Sequence, residues 1–175
     1  DKKVVAIGET GLDYFRLKGD LSWQRDRFRT HIKAAIKSEL PLIIHTRNAP
    51  EDTISIMREE GANSVTGVMH CFTESYEMAK NAIDLGFYIS FSGIITFKNA
   101  ETLRETVKKI PLENILIETD SPYLSPVPNR GKLNEPSNVR YVAEKIAELK
   151  GISVDKVAEI TTNNFFKLFT KCKIL

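Results

Sequence analysis

Five short apolar runs, at residues 4–7, 41–44, 65–69, 88–91 and 115–117, alternate with stretches whose apolar residues recur at helical spacing, and no low-complexity segment interrupts them. That alternation is the pattern of repeated βα units. The runs are rich in β-branched and aromatic residues and lack polar alternation, which predicts parallel strands covered on both faces. Phe28, Ile32, Ala35 and Ile36 form one helical stripe, Tyr76, Ala79 and Ile83 a second, and Leu103, Val107 and Ile110 a third. Gly61 and Gly86 fall where helices are expected to end, and Asn99 is placed to cap a helix starting at Ala100. Residues 121–136, with four prolines and one glycine, predict a long ordered loop. Two helices follow: Val139, Val142, Ile146 and Leu149 stripe the first, which ends at Gly151. Val157, Ile160, Phe165, Leu168 and Phe169 stripe the second, capped by Ser153.

No boundary divides the pattern, so residues 1–175 read as one α/β domain. A closed parallel β/α barrel takes about eight strands and roughly 200 residues or more. Five strands in 175 residues leave two readings, an open doubly wound sheet or an incomplete barrel. With 25 Lys and Arg against 23 Asp and Glu, the net charge of +2 excludes a broad basic field that would hold nucleic acid by charge alone. No stretch approaches the ~18 apolar residues of a membrane span, and Asp1-Lys2-Lys3 leads directly into the first run without a signal-peptide pattern. Two cysteines without C-x-x-C spacing suit a reducing cytoplasm, where the chain is expected to reside.

Chemistry enters at the ends of these runs. Residues 4–7 are followed by Gly8-Glu9, 41–44 by His45, 65–69 by His70 and 115–117 by Glu118-Thr119-Asp120. Parallel strands build sites at their C-terminal ends, bringing residues distant in sequence onto one rim. A single histidine after a strand is more often a hydrogen-bonded core residue, but four strands ending alike favour a metal. Mixed nitrogen and oxygen donors suit zinc, manganese or magnesium, and a carboxylate shared by two ions is the usual element of a two-metal hydrolytic site. His31 lies among Arg27, Arg29 and Lys33 and reads as a solvated or helix-packing residue; Cys71 reads as a buried small hydrophobe and Cys172 as a free surface thiol. Arg47, Arg130 and Lys132 suit phosphate oxygens or structural ion pairs equally. Thr73, Ser90 and Ser92 offer hydroxyls, and Tyr14, Phe15 and Tyr123 either stack on a base or sugar or simply pack.

Four blocks together resemble the TatD family of metal-dependent deoxyribonucleases: Gly8-Glu9-Thr10-Gly11-Leu12-Asp13-Tyr14, Ile44-His45-Thr46-Arg47, Met69-His70-Cys71-Phe72-Thr73, and Ile117-Glu118-Thr119-Asp120-Ser121-Pro122-Tyr123-Leu124. Arg130-Gly131-Lys132, Asn134-Glu135-Pro136 and Asn164-Phe165 fit as well, so the resemblance covers nearly the whole chain. It implies a parallel β/α (TIM-type) barrel, here incomplete, with about five of its eight βα units present as the fourth to eighth. The family's His-x-His pair after the first strand and its Gly-x-His-Pro-His motif after the third do not occur in these residues.

By the resemblance, Glu9 bridges two divalent ions, His45 and His70 complete the second ion's protein ligands, and Asp120 binds the first and accepts the proton of attacking water. Arg47, Arg130 and Lys132 resemble the family's phosphate-holding groups, while Asn48 stands where an Asp commonly follows. The implied activity is hydrolysis of DNA phosphodiester bonds, exonucleolytic, with DNA the partner and no membrane. Alternatives are hydrolysis of another phosphoester or an amide, which Arg47 and Lys132 make the weaker reading, or an inactive piece that binds metal or a partner. An unpaired sheet edge would favour self-association or pairing with a separate N-terminal fragment.

Overall fold

A computed structural model describes residues 1–172. Five strands, β1 (Ile7–Asp13), β2 (Leu42–Arg47), β3 (Gly67–Met69), β4 (Phe87–Phe91) and β5 (Ile115–Ile117), form one sheet. Helices α1 (Ser22–Ser38), α2 (Pro50–Glu59), α3 (Tyr76–Asp84) and α4 (Glu101–Lys109) make the four crossovers. A long loop after β5 leads to α5 (Val139–Lys150) and α6 (Val154–Leu168). Among the described residues no helix is long and apolar enough to cross a membrane.

Strand order decides between the two architectures left open above. Every pairing is parallel and the order is β1-β2-β3-β4-β5, with no reversal. A doubly wound sheet reverses at a switch point and so carries helices on both faces. Right-handed crossovers in unbroken order instead place successive helices on the same face, which is the wall of a β/α barrel. The wall is open: among the described residues β1 and β5 each pair with one strand only.

The two faces of the wall bury different sets of side chains because strand residues alternate. Leu42, Ile44, Met69, Phe87, Ile89 and Ile115 join the main core with Phe28, Ile32, Ala79, Leu103 and Val107 from the crossover helices. Ile43, Val68, Tyr88 and Leu116 face the other way, where Leu168, Phe169 and Cys172 cover them. Cys172 is therefore a packed, partly buried thiol, not the surface group its lysine neighbours suggest. The stripe expected along α6 also divides: Val157 joins the main core, Leu168 and Phe169 the inner cluster, and Phe165 stays 39% exposed.

Several boundaries depart from the apolar runs. Residues 4–6 precede the first strand, and Val4 is 44% exposed. β1 begins at Ile7 opposite Leu42 and runs on through the polar residues to Asp13, because its ladder with β2 continues from Thr10↔Ile44 to Asp13↔Arg47. Asn99 does not cap α4, whose N-cap is Ala100 without a side-chain hydrogen bond. Ser153 does cap α6, accepting from the Lys156 N–H at 3.2 Å, and Gly151 ends α5 in the left-handed region.

One irregularity in β1 shapes the site. Between Ile7↔Leu42 and Thr10↔Ile44, β1 advances three residues against two on β2, a bulge that re-aims the side chains around Glu9. Close strand approach makes glycine necessary on either side of that carboxylate. A Cβ on Gly8 would lie 2.6 Å from Ile43 Cβ, and one on Gly11, at φ +128°, would lie 1.9 Å from the His45 carbonyl oxygen. Gly11→Ala is expected to lower stability by more than about 1 kcal/mol, measured by urea unfolding, since it adds both a backbone clash and positive-φ strain. A loss below that would show that β1 can move away from β2 at no cost.

Candidate metal centre

Two steps along the inner face from Ile43, Val68, Tyr88 and Leu116 stand His45, His70, Ser90 and Glu118. Strand alternation thus carries the inner apolar cluster directly into a polar one at the C-terminal rim. Glu9 Oε1 lies 3.2 Å from His45 Nδ1 and 3.3 Å from His70 Nε2, and one atom from each of the three lies within 4.8 Å of the others. His70, Glu118 and Asp120 form a second such group, sharing His70 with the first. Four residues expected at this rim, Glu9, His45, His70 and Asp120, are therefore brought together.

Each imidazole is held from behind. His70 Nδ1 is 2.9 Å from Glu118 Oε1, and the other oxygen of Glu118 accepts from the Cys71 N–H at 3.1 Å. His45 Nε2 is 3.3 Å from Asp13 Oδ2. Asp13 is fixed in turn by the buried Gln24 amide of α1, which accepts from its N–H and donates to its C=O, both at 2.8 Å. Asp13 and Gln24 escape a search of the residues just after the apolar runs: the first ends β1 six residues past Ile7, the second is on a helix. Carboxylate support of a histidine fixes ring orientation and raises ligand basicity.

Charge in the cluster is lopsided. Glu9, Asp13, Glu118 and Asp120 converge, yet among the described residues no lysine or arginine pairs with any of them; the ion pairs of Glu9, Asp13 and Glu118 are to His45 and His70 alone. Burial opposes charge on His70, but the Glu118 hydrogen bond and the charges of Glu118, Glu9 and Asp120 overcome it and raise its pKa to about 9. Burial likewise opposes charge on Glu118, and His70 more than offsets it, holding that carboxyl below its ordinary value. Asp120 moves the other way: burial, with Glu118 and Glu9 nearby, pushes it up despite His70. A site of hard oxygen and imidazole donors that draws in a positive charge and lacks a fixed cation fits a divalent ion. Glu9, His45 and His70 offer one set of donors, and Asp120 with Glu118 offers oxygens to the other side of His70.

The remaining candidates separate by their contacts. Thr10 Oγ1 and His31 Nδ1 are 2.7 Å apart, so His31 packs α1 against β1. Burial, helped by Glu118, pushes the Cys71 thiol up to about 12, and it is an inert neighbour of Ser92. Arg47 and Arg130 lie outside the cluster and pair with no carboxylate among the described residues; each sits over an aromatic ring, Arg47 Cζ at 3.6 Å from the Phe15 centroid and Arg130 Cζ at 3.7 Å from that of Phe97. Lys132 is exposed near Arg130. His70, Glu118 and Asp120 line one end of a cavity of about 740 Å³ whose other walls include Ile43, Val68, Leu116 and Phe165.

A buried amide relay holds the loop after β5. Asn129 Nδ2 donates to Asn138 Oδ1 and Asn138 Nδ2 to Asn134 Oδ1, both at 2.9 Å. Asn134 Nδ2 donates to the carbonyls of Thr119 at 2.8 Å and Tyr123 at 2.6 Å, on either side of Asp120 and its turn. The asparagines are widely spaced within a proline-rich segment, and only the folded loop brings them into a chain.

An open β/α-barrel wall with histidines and carboxylates at its strand ends is an architecture of metal-dependent hydrolases. Residues 1–170 match the family described as TatD related DNase, and the chain belongs to that family. It is 52% identical over 169 residues to the uncharacterized metal-dependent hydrolase YcfH of Escherichia coli, covering 97% of this chain and 64% of that protein. Over 168 residues it is 53% identical to the uncharacterized metal-dependent hydrolase YabD of Bacillus subtilis, covering 96% of this chain and 66% of the relative. The crystal structure of YJJV, a TatD homologue from Escherichia coli K12, superposes with a TM-score of 0.87 at 30% identity, over 95% of this chain and 64% of that one. The chain thus spans about two-thirds of the length of these relatives.

If Glu118 orients His70 for a metal, Glu118→Gln should weaken divalent-metal affinity roughly 10–100-fold while leaving the chain folded. Titration of the metal-free protein with Mn²⁺, followed by calorimetry beside a circular dichroism control, measures this; unchanged affinity would show that Glu118 serves packing alone.

Proposed function

We propose that this chain carries the catalytic rim of a metal-dependent deoxyribonuclease that hydrolyses phosphodiester bonds from a strand end. The observation that carries the reading is the cluster of Glu9, His45, His70, Glu118 and Asp120, which among the described residues has no lysine or arginine partner, while Arg47 and Arg130 pair with no carboxylate there. Membership of a family described as TatD related DNase supports DNA as the substrate.

In this reading Glu9, His45 and His70 hold one divalent ion, and Asp120 takes part in holding another. Such ions supply Lewis-acid stabilisation of charge on phosphoryl oxygens and acidify water. The chain's own groups do the rest. Arg47, on the β1–β2 side and resting on Phe15, and Arg130, on the loop after β5 and resting on Phe97, offer guanidinium donors to phosphate oxygens. Lys132 adds a point charge beside Arg130. Asp120 accepts the proton of the attacking water, a role suited to a carboxyl whose pKa burial has raised towards the working pH. Asp13 and Glu118 keep the two imidazoles aimed at Glu9. The free edges of β1 and β5 are where a further strand, from a second copy or a separate piece, would pair.

The test is cleavage of end-labelled single-stranded DNA by the chain with added Mn²⁺ or Mg²⁺. Cleavage is expected to stop with a chelator and to fall at least about 100-fold in Asp120→Ala. Cleavage that survives either change would contradict the proposed centre.

A further inference from the structure

Of the three aromatic residues that the sequence offers for stacking, Tyr14, Phe15 and Tyr123, two are engaged. Tyr14 donates to Asp52 at 2.7 Å and accepts from Arg25 at 3.3 Å. The Phe15 ring carries Arg47 at 3.6 Å, with Arg16 at 4.7 Å. Tyr123 is different: 70% of it is in solvent, and Leu133, 82% exposed, and Val127, 49% exposed, are also left bare on the same loop. Tyr123 and Leu133 stand on adjoining segments, since the N–H of Asn134 donates to the Pro122 carbonyl at 3.0 Å and its side chain to the Tyr123 carbonyl.

Their mount is rigid. Asn134 and Asn138 are each 6% exposed and belong to the amide relay described above. An aromatic ring on a fixed backbone loses little conformational freedom when something stacks on it. Its place is equally specific. The Tyr123 N–H donates to the Asp120 carbonyl at 2.9 Å, so Asp120 and Tyr123 are the ends of one turn, with Cα atoms within ~7 Å of each other. That separation is comparable with the reach from the phosphate of a nucleotide to its base. Arg130 and Lys132 on the same loop are exposed and without acidic partners among the described residues, which supplies the charge that a phosphate backbone complements.

We propose that Tyr123, with Leu133 exposed on the adjoining segment, is a stacking platform for a nucleobase of the strand whose phosphate occupies the Glu9–His70–Asp120 cluster. The subsite rests on the nuclease reading and adds its choice of substrate. A base inside a duplex has both faces covered by its neighbours, so the platform takes a base at a strand end. Every base has a π face, so the platform is tolerant of sequence.

Two single-stranded oligonucleotides with phosphorothioate linkages test this, one ending in 2-aminopurine and the other in an abasic residue. Binding to the 175-residue chain is followed by fluorescence of the base and by anisotropy of a label at the far end. The unaltered chain should quench 2-aminopurine and bind that strand roughly tenfold more tightly than the abasic one. Tyr123→Ala should remove the quench and the tenfold preference, while Tyr123→Trp should restore both. Equal binding of the two strands by the unaltered chain, or a Tyr123→Ala variant that keeps the preference, would overturn the platform. Failure of the unaltered chain to bind either strand would instead overturn the nuclease reading, and the platform with it.

Discussion

Everything at the functional rim depends on the inward alternation of four parallel strands in unbroken order. Ile43, Val68, Tyr88 and Leu116 close the inner apolar cluster, and two residues onward each strand delivers His45, His70, Ser90 or Glu118 to the same side. A one-residue slip of any strand would turn its polar residue towards the helices and its apolar one towards solvent. Core and site are therefore specified by one register, and the hydrophobic packing that makes the sheet also aims the ligands. β1 reaches the same end by another device, a bulge before Thr10 and glycines at positions 8 and 11 that let the strand lie hard against β2.

The second constraint is electrostatic. Four carboxylates gathered without a lysine or arginine partner among the described residues repel one another, and the upward pull on the pKa of His70 is the local response in the metal-free chain. Arg47 and Arg130 instead rest over the Phe15 and Phe97 rings and pair with no carboxylate among the described residues. In the proposed function, that separation suits a ligand that carries opposite charges, a metal beside a phosphate.

Much of this was legible in residue order. Apolar runs located four strands and touched the first at Ile7, and the polar residues following four of the five runs included Glu9, His45, His70 and Asp120, because strand ends in parallel sheets converge whatever the details of packing. Other features depend on geometry that no local pattern encodes. The bulge at Gly8-Glu9 and the extension of β1 to Asp13 come from pairing with β2, so apolar periodicity stopped at Ile7 where the ladder begins. Gln24 and the asparagines at 129, 134 and 138 act through contacts between segments and carry no spacing signal. Asn99 was misleading because a capping residue is only an option for the helix, and α4 starts one residue beyond its reach.

The account stands or falls on whether the Glu9–His45–His70 cluster holds metal. The direct measurement is metal content by elemental analysis after equilibrium dialysis of the purified chain against Mn²⁺ or Zn²⁺, beside Glu9→Gln and His70→Ala. The account predicts bound metal in the unaltered chain and its loss in both variants, with circular dichroism spectra unchanged. Equal metal content in all three, or none in the unaltered chain, would contradict it.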